Sequence, residues 1–148
     1  MRPIIDSITD EWIDKNQPCE EAIKNWWDKK ERNPIKILEL LIEEKKYNWA
    51  NWVIVRIMEY KDYVSYAVFA AEQVIDIYEK KYPNDKRLRE AIETTKKCIE
   101  NPSGENKIAA NAAAYAAAYA AANAAYAAAN AAAYAAMKLK ILKYGMEL

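Results

Sequence analysis

The residues whose types and spacing are best suited to binding chemistry lie in the segment 82–93, which reads YPNDKRLREAIE. Asp85 is suited to the N-cap of a helix, yet Arg87 and Arg89 would then stand in the first turn, where the helix end is already positive. Cations in that position are unfavourable unless an anion lies beside them. The spacing therefore predicts an anion here, which is either a bound carboxylate or phosphate or an internal carboxylate such as Glu72, Glu79 or Glu90.

A second candidate surface lies in the alanine-dominated run 109–136, which contains no charge, Gly or Pro. Its larger residues fall on one helical stripe about 140° wide at 100° per residue. Four of them are predicted to meet a ligand: Tyr115, Tyr119, Asn123 and Tyr126. Two interpretations stay open. The stripe is the polar side of a helix that packs through its alanines, or it lines a groove that stacks on a base or a peptide.

The chain also carries five tryptophans, at positions 12, 26, 27, 49 and 52. The two close pairs, Trp26 with Trp27 and Trp49 with Trp52, cannot all point into one small core. We therefore expect most of these rings to belong to the core and the remainder to mark an interface.

Composition excludes several kinds of chemistry. The chain has no histidine, which removes the usual general base and the usual metal ligand, and we predict neither an enzyme nor a cofactor or metal site. The 22 basic and 22 acidic residues balance, so no attraction to long nucleic acid is expected.

Cys19 and Cys98 lack metal or redox spacing and are predicted to be buried free thiols in a cytoplasmic protein. A transmembrane role for the alanine run is not favoured, because Asn111, Asn123 and Asn130 would lie at membrane depth.

Apolar periodicity predicts helices throughout the chain. The first is short, with Asp6 or Ser7 as its cap, and ends before Pro18. The third begins at Asn33 and Pro34, a cap followed by the residue favoured at the first helical position. The predicted helices after the first span about 19–32, 35–46, 49–60, 63–82, 86–100 and 105–144.

These elements predict an all-α protein with one domain over residues 1–148. It would consist of a tryptophan-rich body, 1–104, followed by an Ala/Tyr/Asn-rich helical segment, 105–148. The body of about six helices would form a compact bundle or a short α-solenoid. A continuous helix over 105–144 would be about 60 Å long, so it either projects from the body or breaks at an asparagine.

The stretch 70–98, AAEQVIDIYEKKYPNDKRLREAIETTKKC, followed by an alanine-dominated helix, resembles the fifth type in the series of immunity proteins attributed to polymorphic-toxin systems. That family shows an Ala-Glu helix, a Pro/Asp turn, an Asp-x-Arg-Pro-Arg-x-Ala-Ile run and Ala repeats. Leu88 stands where the family has proline, and Tyr and Asn stand where relatives often have His. The resemblance covers roughly 65–136, and the matching residues are Glu72, Pro83, Asp85, Arg87, Arg89, Ala91 and Ile92.

The resemblance implies an inhibitor that neutralises a toxin by binding it. Versions with long Tyr/Asn-punctuated Ala tracts look like bacteriophage accessory proteins, which implies counter-defence in the cytoplasm of a bacterial host. Two alternatives stay open. The protein could sequester a nucleotide immune signal, with arginines on the phosphate and tyrosines on the base. It could also be a helical adaptor that forms a homo-oligomer through its alanine faces.

Overall fold

The computed structural model describes residues 1–100 and 131–148, and every regular element in these two ranges is an α-helix. This confirms the all-α prediction. The helices are α1 (Asp10–Asn16), α2 (Glu20–Lys29), α3 (Pro34–Glu43), α4 (Tyr47–Ile57), α5 (Tyr60–Glu72), α6 (Ile75–Lys81), α7 (Arg87–Glu100) and α8 (Ala131–Glu147).

Helix α4 lies at the centre of the larger hydrophobic core. It packs against α3 on one side and α8 on another, and four of its residues are buried: Ala50, Val53, Ile54 and Ile57. Leu38 and Leu41 of α3 join this core, as their spacing predicts. A smaller apolar cluster lies between α5, α6 and α7 and consists of Val68, Ala71, Ile75, Leu88 and Ile92.

The first nine residues form no helix but are fastened to the larger core. The backbone N–H of Ile4 donates to the carbonyl of Ile57 at 2.8 Å, and that of Ile8 donates to Arg32 at 2.9 Å. Ile8 is buried. Helix α1 begins two residues after Ile8. Its cap is Thr9, whose hydroxyl accepts from the backbone N–H of Trp12 at 3.2 Å. The predicted caps, Asp6 and Ser7, were wrong.

The predicted helix 63–82 is divided into α5 and α6, so residues 1–100 contain seven helices where six were predicted. The break falls at Gln73 and Val74. Gln73 is held at this corner by Lys140 of α8, whose ammonium donates to the amide oxygen of Gln73 at 2.7 Å. Val74 is buried there. The turn therefore allows both Val74 and Ile75 to be buried, although their side chains would point about 100° apart on a continuous helix.

Only the end of the predicted helix 105–144 lies within the described residues, where α8 runs on through Gly145 to Glu147. Gly145 is buried against α4 and α5. A Cβ at this position would stand 2.6 Å from Cδ2 of Tyr66 and 2.8 Å from Cδ1 of Ile54. The glycine is therefore required for close approach between helices and does not end the helix.

Two further predictions have clear outcomes. Asn33 caps α3 through hydrogen bonds from the N–H groups of Ile35 and Lys36, with Pro34 at the first position, as expected. The prediction that Cys19 is buried was wrong, because this free cysteine is exposed at the start of α2. Among the helices described, none is long and apolar enough to cross a membrane.

Candidate functional site

The predicted anion site at Asp85 contains an internal anion. The Asp85 carboxylate accepts from Nε of Arg87 at 2.9 Å, from Nη2 at 2.6 Å and from the backbone N–H of Arg87 at 3.1 Å. The Tyr78 hydroxyl also donates to it, at 2.8 Å. Hydrogen bonds from Arg87 and then from Tyr78 hold the pKa of Asp85 well below its usual range. We call residues 82–89 the arginine turn.

The second arginine of this turn is also engaged. Arg89 forms a bidentate pair with Glu79 of α6, with Nε to Oε1 at 2.8 Å and Nη2 to Oε2 at 2.7 Å. The pair lowers the pKa of Glu79. Glu79 was one of the internal carboxylates considered for this role. Each arginine of the turn thus has a carboxylate partner inside the protein.

The remaining predicted binding residues are not brought to the arginine turn within the described part of the chain. Glu72 forms an ion pair with Lys96 at 2.7 Å and not with either arginine. Tyr115, Tyr119, Asn123 and Tyr126 lie outside the described residues, so their proposed stacking role stays a prediction.

A different site lies among α1, α2, α3 and α4. It is a cavity of about 320 Å³ whose lining is mostly apolar. Its wall is built around four indole rings and three isoleucines: Ile8, Trp12, Ile13, Trp26, Ile37, Trp49 and Trp52. We call this cavity the tryptophan pocket. Its volume is at the lower end of the range for ligand sites, and it suits one ring or one large side chain.

The indoles that line the pocket are held in place by specific contacts. The rings of Trp12 and Trp52 meet edge to face, with centroids 5.7 Å apart and planes at 89°. Trp26 is buried, while Trp12, Trp49 and Trp52 are half-buried. Aromatic pairs in this geometry are stabilised beyond the burial of their area, so this contact helps to fix the positions of Trp12 and Trp52 in the pocket wall.

Three of these indoles also carry a cation over the ring. Cζ of Arg32 lies 3.8 Å from the ring centroid of Trp26. Cζ of Arg56 lies 3.9 Å from that of Trp52. The Arg56 guanidinium also donates to the carbonyl of Trp52 at 2.8 Å. Burial lowers the pKa of Arg56, but an arginine keeps its charge in proteins.

The third cation is Lys46, whose Nζ lies 4.4 Å from the ring of Trp49. The Glu44 carboxylate links this lysine to Lys29 at the pocket rim, accepting from both ammonium groups. These hydrogen bonds, with that from Lys29 the stronger, lower the pKa of Glu44. The charged groups nearest the pocket are therefore anchored around its indoles.

A few polar groups complete the rim of the pocket, including Asn25, Glu31 and Asn48. The Glu31 carboxylate accepts from the backbone N–H groups of Asn33 and Arg32, both at 2.8 Å. These two bonds lower the pKa of Glu31. Small numbers of placed polar groups around an apolar wall are typical of binding sites, where they orient the ligand.

A smaller recess of about 190 Å³ adjoins the tryptophan pocket and shares Asn48 and Trp49 with it. The charged residues of its lining are all lysines: Lys45, Lys46 and Lys138. Lys138 donates to Oδ1 of Asn48 at 2.5 Å. We call this the lysine recess.

The sequence predictions did not include the tryptophan pocket as a site. The signal was present in the two close tryptophan pairs, which could not all enter one core. Spacing alone did not reveal that Trp12 would meet Trp52 across 40 positions. Comparison with protein-family models, with curated proteins and with solved structures found no match.

Proposed function

We propose that this protein is a non-enzymatic inhibitor of the immunity or bacteriophage counter-defence type, which acts in the bacterial cytoplasm. It would neutralise a toxin or a host-defence component by binding it. The tryptophan pocket would be the contact surface, taking one large apolar side chain of the partner protein.

The observation that carries the proposal is the open cavity among α1 to α4, lined by indoles of which two meet edge to face. Tryptophan and arginine are the residues enriched at the energetic centres of protein interfaces, where an anchor side chain fills a pocket. Trp12 and Trp52 at such a pocket, with Arg56 stacked on Trp52, match this composition. The inhibitory setting rests on the resemblance of the segment 65–136.

The arginine turn is a weaker candidate for the contact. An external phosphate or carboxylate that used Nε and Nη2 of Arg87 would compete with Asp85, and one that used those of Arg89 would compete with Glu79. Either carboxylate would also stand beside the incoming anion, where like charges repel. A nucleotide signal bound at this turn is therefore the second alternative, and an oligomer formed through alanine faces is the third.

The test uses affinity capture from host cells with three forms of the full chain. These are the wild type, Ala22→Leu, which extends a side chain of α2 into the tryptophan pocket, and the double variant Arg87→Gln/Arg89→Gln. A captured protein counts only if its purified form binds the purified chain in calorimetry. We expect wild type and the double variant to bind it alike and Ala22→Leu to lose binding at least tenfold.

The reverse pattern, with binding lost only in the double arginine variant, would move the site to the arginine turn and contradict the proposal. A nucleotide panel in thermal unfolding separates the second alternative, since a ligand at 100 times its Kd stabilises the folded state by about 2.7 kcal/mol. We expect no nucleotide to raise the melting temperature. Size-exclusion chromatography with light scattering tests the third alternative. We expect Ala22→Leu to lose partner binding even if an oligomer persists in this variant, so that oligomer formation does not account for the activity.

A further inference from the structure

The tryptophan pocket has the composition of an aromatic cage, but its electrostatics differ from those of a cage for cations. Cages that bind methylated ammonium groups offer free indole faces, whose negative potential attracts the ligand. In this protein Arg32, Arg56 and Lys46 lie over Trp26, Trp52 and Trp49 respectively. None of the three cations is among the described residues that line the tryptophan pocket, whose charged lining residues are Lys29 and Glu31.

An organic cation inside the pocket would meet rings that already have a positive charge close to them. It would also be repelled by those charges, and repulsion is less screened in a partly desolvated site than in water. An uncharged aromatic ring has no such disadvantage and can pack edge to face on Trp12 or Trp52, as these two rings already do with each other.

The lysine recess indicates which sign of charge on a ligand is favoured beside the tryptophan pocket. It opens beside the pocket across Trp49 and Asn48 and brings Lys45, Lys46 and Lys138 together. Lys46 is partly compensated by Glu44, and Lys138 is hydrogen-bonded to Asn48. The lining holds no carboxylate among the residues described, so an acidic group placed there meets positive potential.

We infer that the group taken by the tryptophan pocket is an uncharged aromatic side chain of a partner protein, flanked by a carboxylate that lies in the lysine recess. A protein segment suits the pocket better than a nucleotide does. The apolar wall has few groups to satisfy the ring nitrogens and exocyclic groups of a base. The inference rests on the proposed function and specifies the chemistry of its partner.

The experiment uses the full-length protein and capped tripeptides, with binding measured by saturation-transfer NMR and calorimetry. Acetyl-Glu-Trp-Glu-amide, acetyl-Gln-Trp-Gln-amide and acetyl-Lys-Trp-Lys-amide differ only in charge, while acetyl-Glu-Ala-Glu-amide lacks the ring. We expect affinity to fall in the order acidic, neutral, basic, with at least about a fivefold difference between the first and the last. We expect no detectable binding of the alanine peptide.

The outcomes separate this inference from the proposed function. Equal or tighter binding of the basic tryptophan peptide would overturn the inference and leave the pocket as an aromatic site. Failure of all three tryptophan peptides to bind would overturn both. Tighter binding of AMP than of the acidic peptide would replace the protein segment by a nucleotide and would also overturn the inference.

Matched variants locate the charge effect. Lys45 has a left-handed backbone with φ 57°, a conformation that asparagine tolerates, so Lys45→Asn removes the charge without strain. Combined with Lys138→Gln, it should remove at least half of the preference for the acidic over the neutral peptide. Lys97→Gln on α7 is the control and should preserve that preference; an unchanged preference in the double variant would overturn the role of the lysine recess.

Arg56→Met tests the role of the cation over Trp52 because methionine keeps an unbranched side chain against the ring. We expect the basic peptide to gain affinity about threefold relative to the neutral one. An unchanged ratio would show that the cations over the indoles do not set the selectivity and would overturn that part of the inference.

Discussion

The tryptophan pocket and the arginine turn use their polar and aromatic groups in opposite ways. At the turn, Arg87 and Arg89 are each paired in bidentate geometry with a carboxylate, Asp85 or Glu79. At the pocket, the charges are also anchored, but the space between the indoles stays open as a cavity of about 320 Å³.

The two arginines of the turn already have carboxylate partners, whereas the tryptophan pocket offers an apolar cavity. An anion bound at the turn competes with the existing ion pairs and lies beside their carboxylates, whereas an apolar group bound in the pocket meets a mostly apolar wall. An unfilled apolar cavity lowers the stability of a fold. The comparison therefore favours the tryptophan pocket over the arginine turn as the binding site that we propose.

The largest expected effect concerns the two hydrophobic cores behind these regions. Leu38→Ala, in the core next to the pocket, and Leu88→Ala, in the small cluster next to the turn, should each lower the free energy of unfolding by about 2–5 kcal/mol. Leu38→Ala should give the larger loss of unfolding free energy, because Leu38 is 0% exposed within a large core that cannot collapse easily. Urea denaturation measures both, and a larger loss for Leu88→Ala would reverse the ranking.

The next effect tests whether α8 fastens the pocket side of the molecule. Gly145→Ala should lower the free energy of unfolding by about 1–3 kcal/mol, since its Cβ would collide with Tyr66 and Ile54. The Tyr66 ring cannot move freely, because its hydroxyl donates to Oδ1 of Asn51 at 2.6 Å.

Ala136→Gly is the control at an exposed position of the same helix, where only helix propensity changes, by up to about 1 kcal/mol. If Gly145→Ala raised stability, as alanine does at an unconstrained helical position, the close packing of α8 on α4 and α5 would be contradicted.

Filling the pocket should give a smaller effect of opposite sign. Ala22→Leu adds apolar atoms to a cavity wall and should raise the free energy of unfolding by about 1 kcal/mol, while it removes partner binding. Ala136→Leu adds the same atoms on an exposed helical surface and should change stability little. Destabilisation by Ala22→Leu in thermal or urea unfolding would mean that the wall has no room, and that the two regions do not differ as described.

The smallest effect concerns the arginine turn. The pKa of Asp85 is depressed in the folded protein by Arg87 and Tyr78. Its contribution to stability is therefore present above the unfolded pKa of about 3.9 and is lost as pH falls below that value. Asp85→Asn should be slightly less stable than wild type at pH 7, and the two should converge in acid. Urea unfolding at several pH values measures this; a difference that grows as pH falls would contradict the sign.

Local signals in the sequence predicted much of this fold because they depend on neighbouring residues. Asn33 and Pro34 define the start of α3 whatever surrounds it, and the spacing of Leu88, Ile92 and Thr95 predicts the buried side of α7. An internal anion was one of the two alternatives for the turn, but the carboxylates named for it did not include Asp85, which pairs with Arg87.

The features that the sequence did not predict depend on distant contacts. The apolar period continues through Gln73 and Val74, and the helix breaks there beside Lys140 from a helix 67 positions away. The tryptophan pocket arises only when α1, α2, α3 and α4 are brought together. No spacing within any one of these helices indicates how large the space between Trp12 and Trp52 will be.

The most direct test of the tryptophan pocket is fluorine NMR of the full chain labelled with 5-fluorotryptophan. Single Trp→Phe variants assign the signals, and unlabelled acetyl-Glu-Trp-Glu-amide is then titrated. We predict saturable shifts for Trp12, Trp49 and Trp52 that share one Kd, and that disappear in Ala22→Leu but persist in Arg87→Gln/Arg89→Gln. Shifts that persist in Ala22→Leu, or no shifts at these three residues, would contradict the pocket as the binding site.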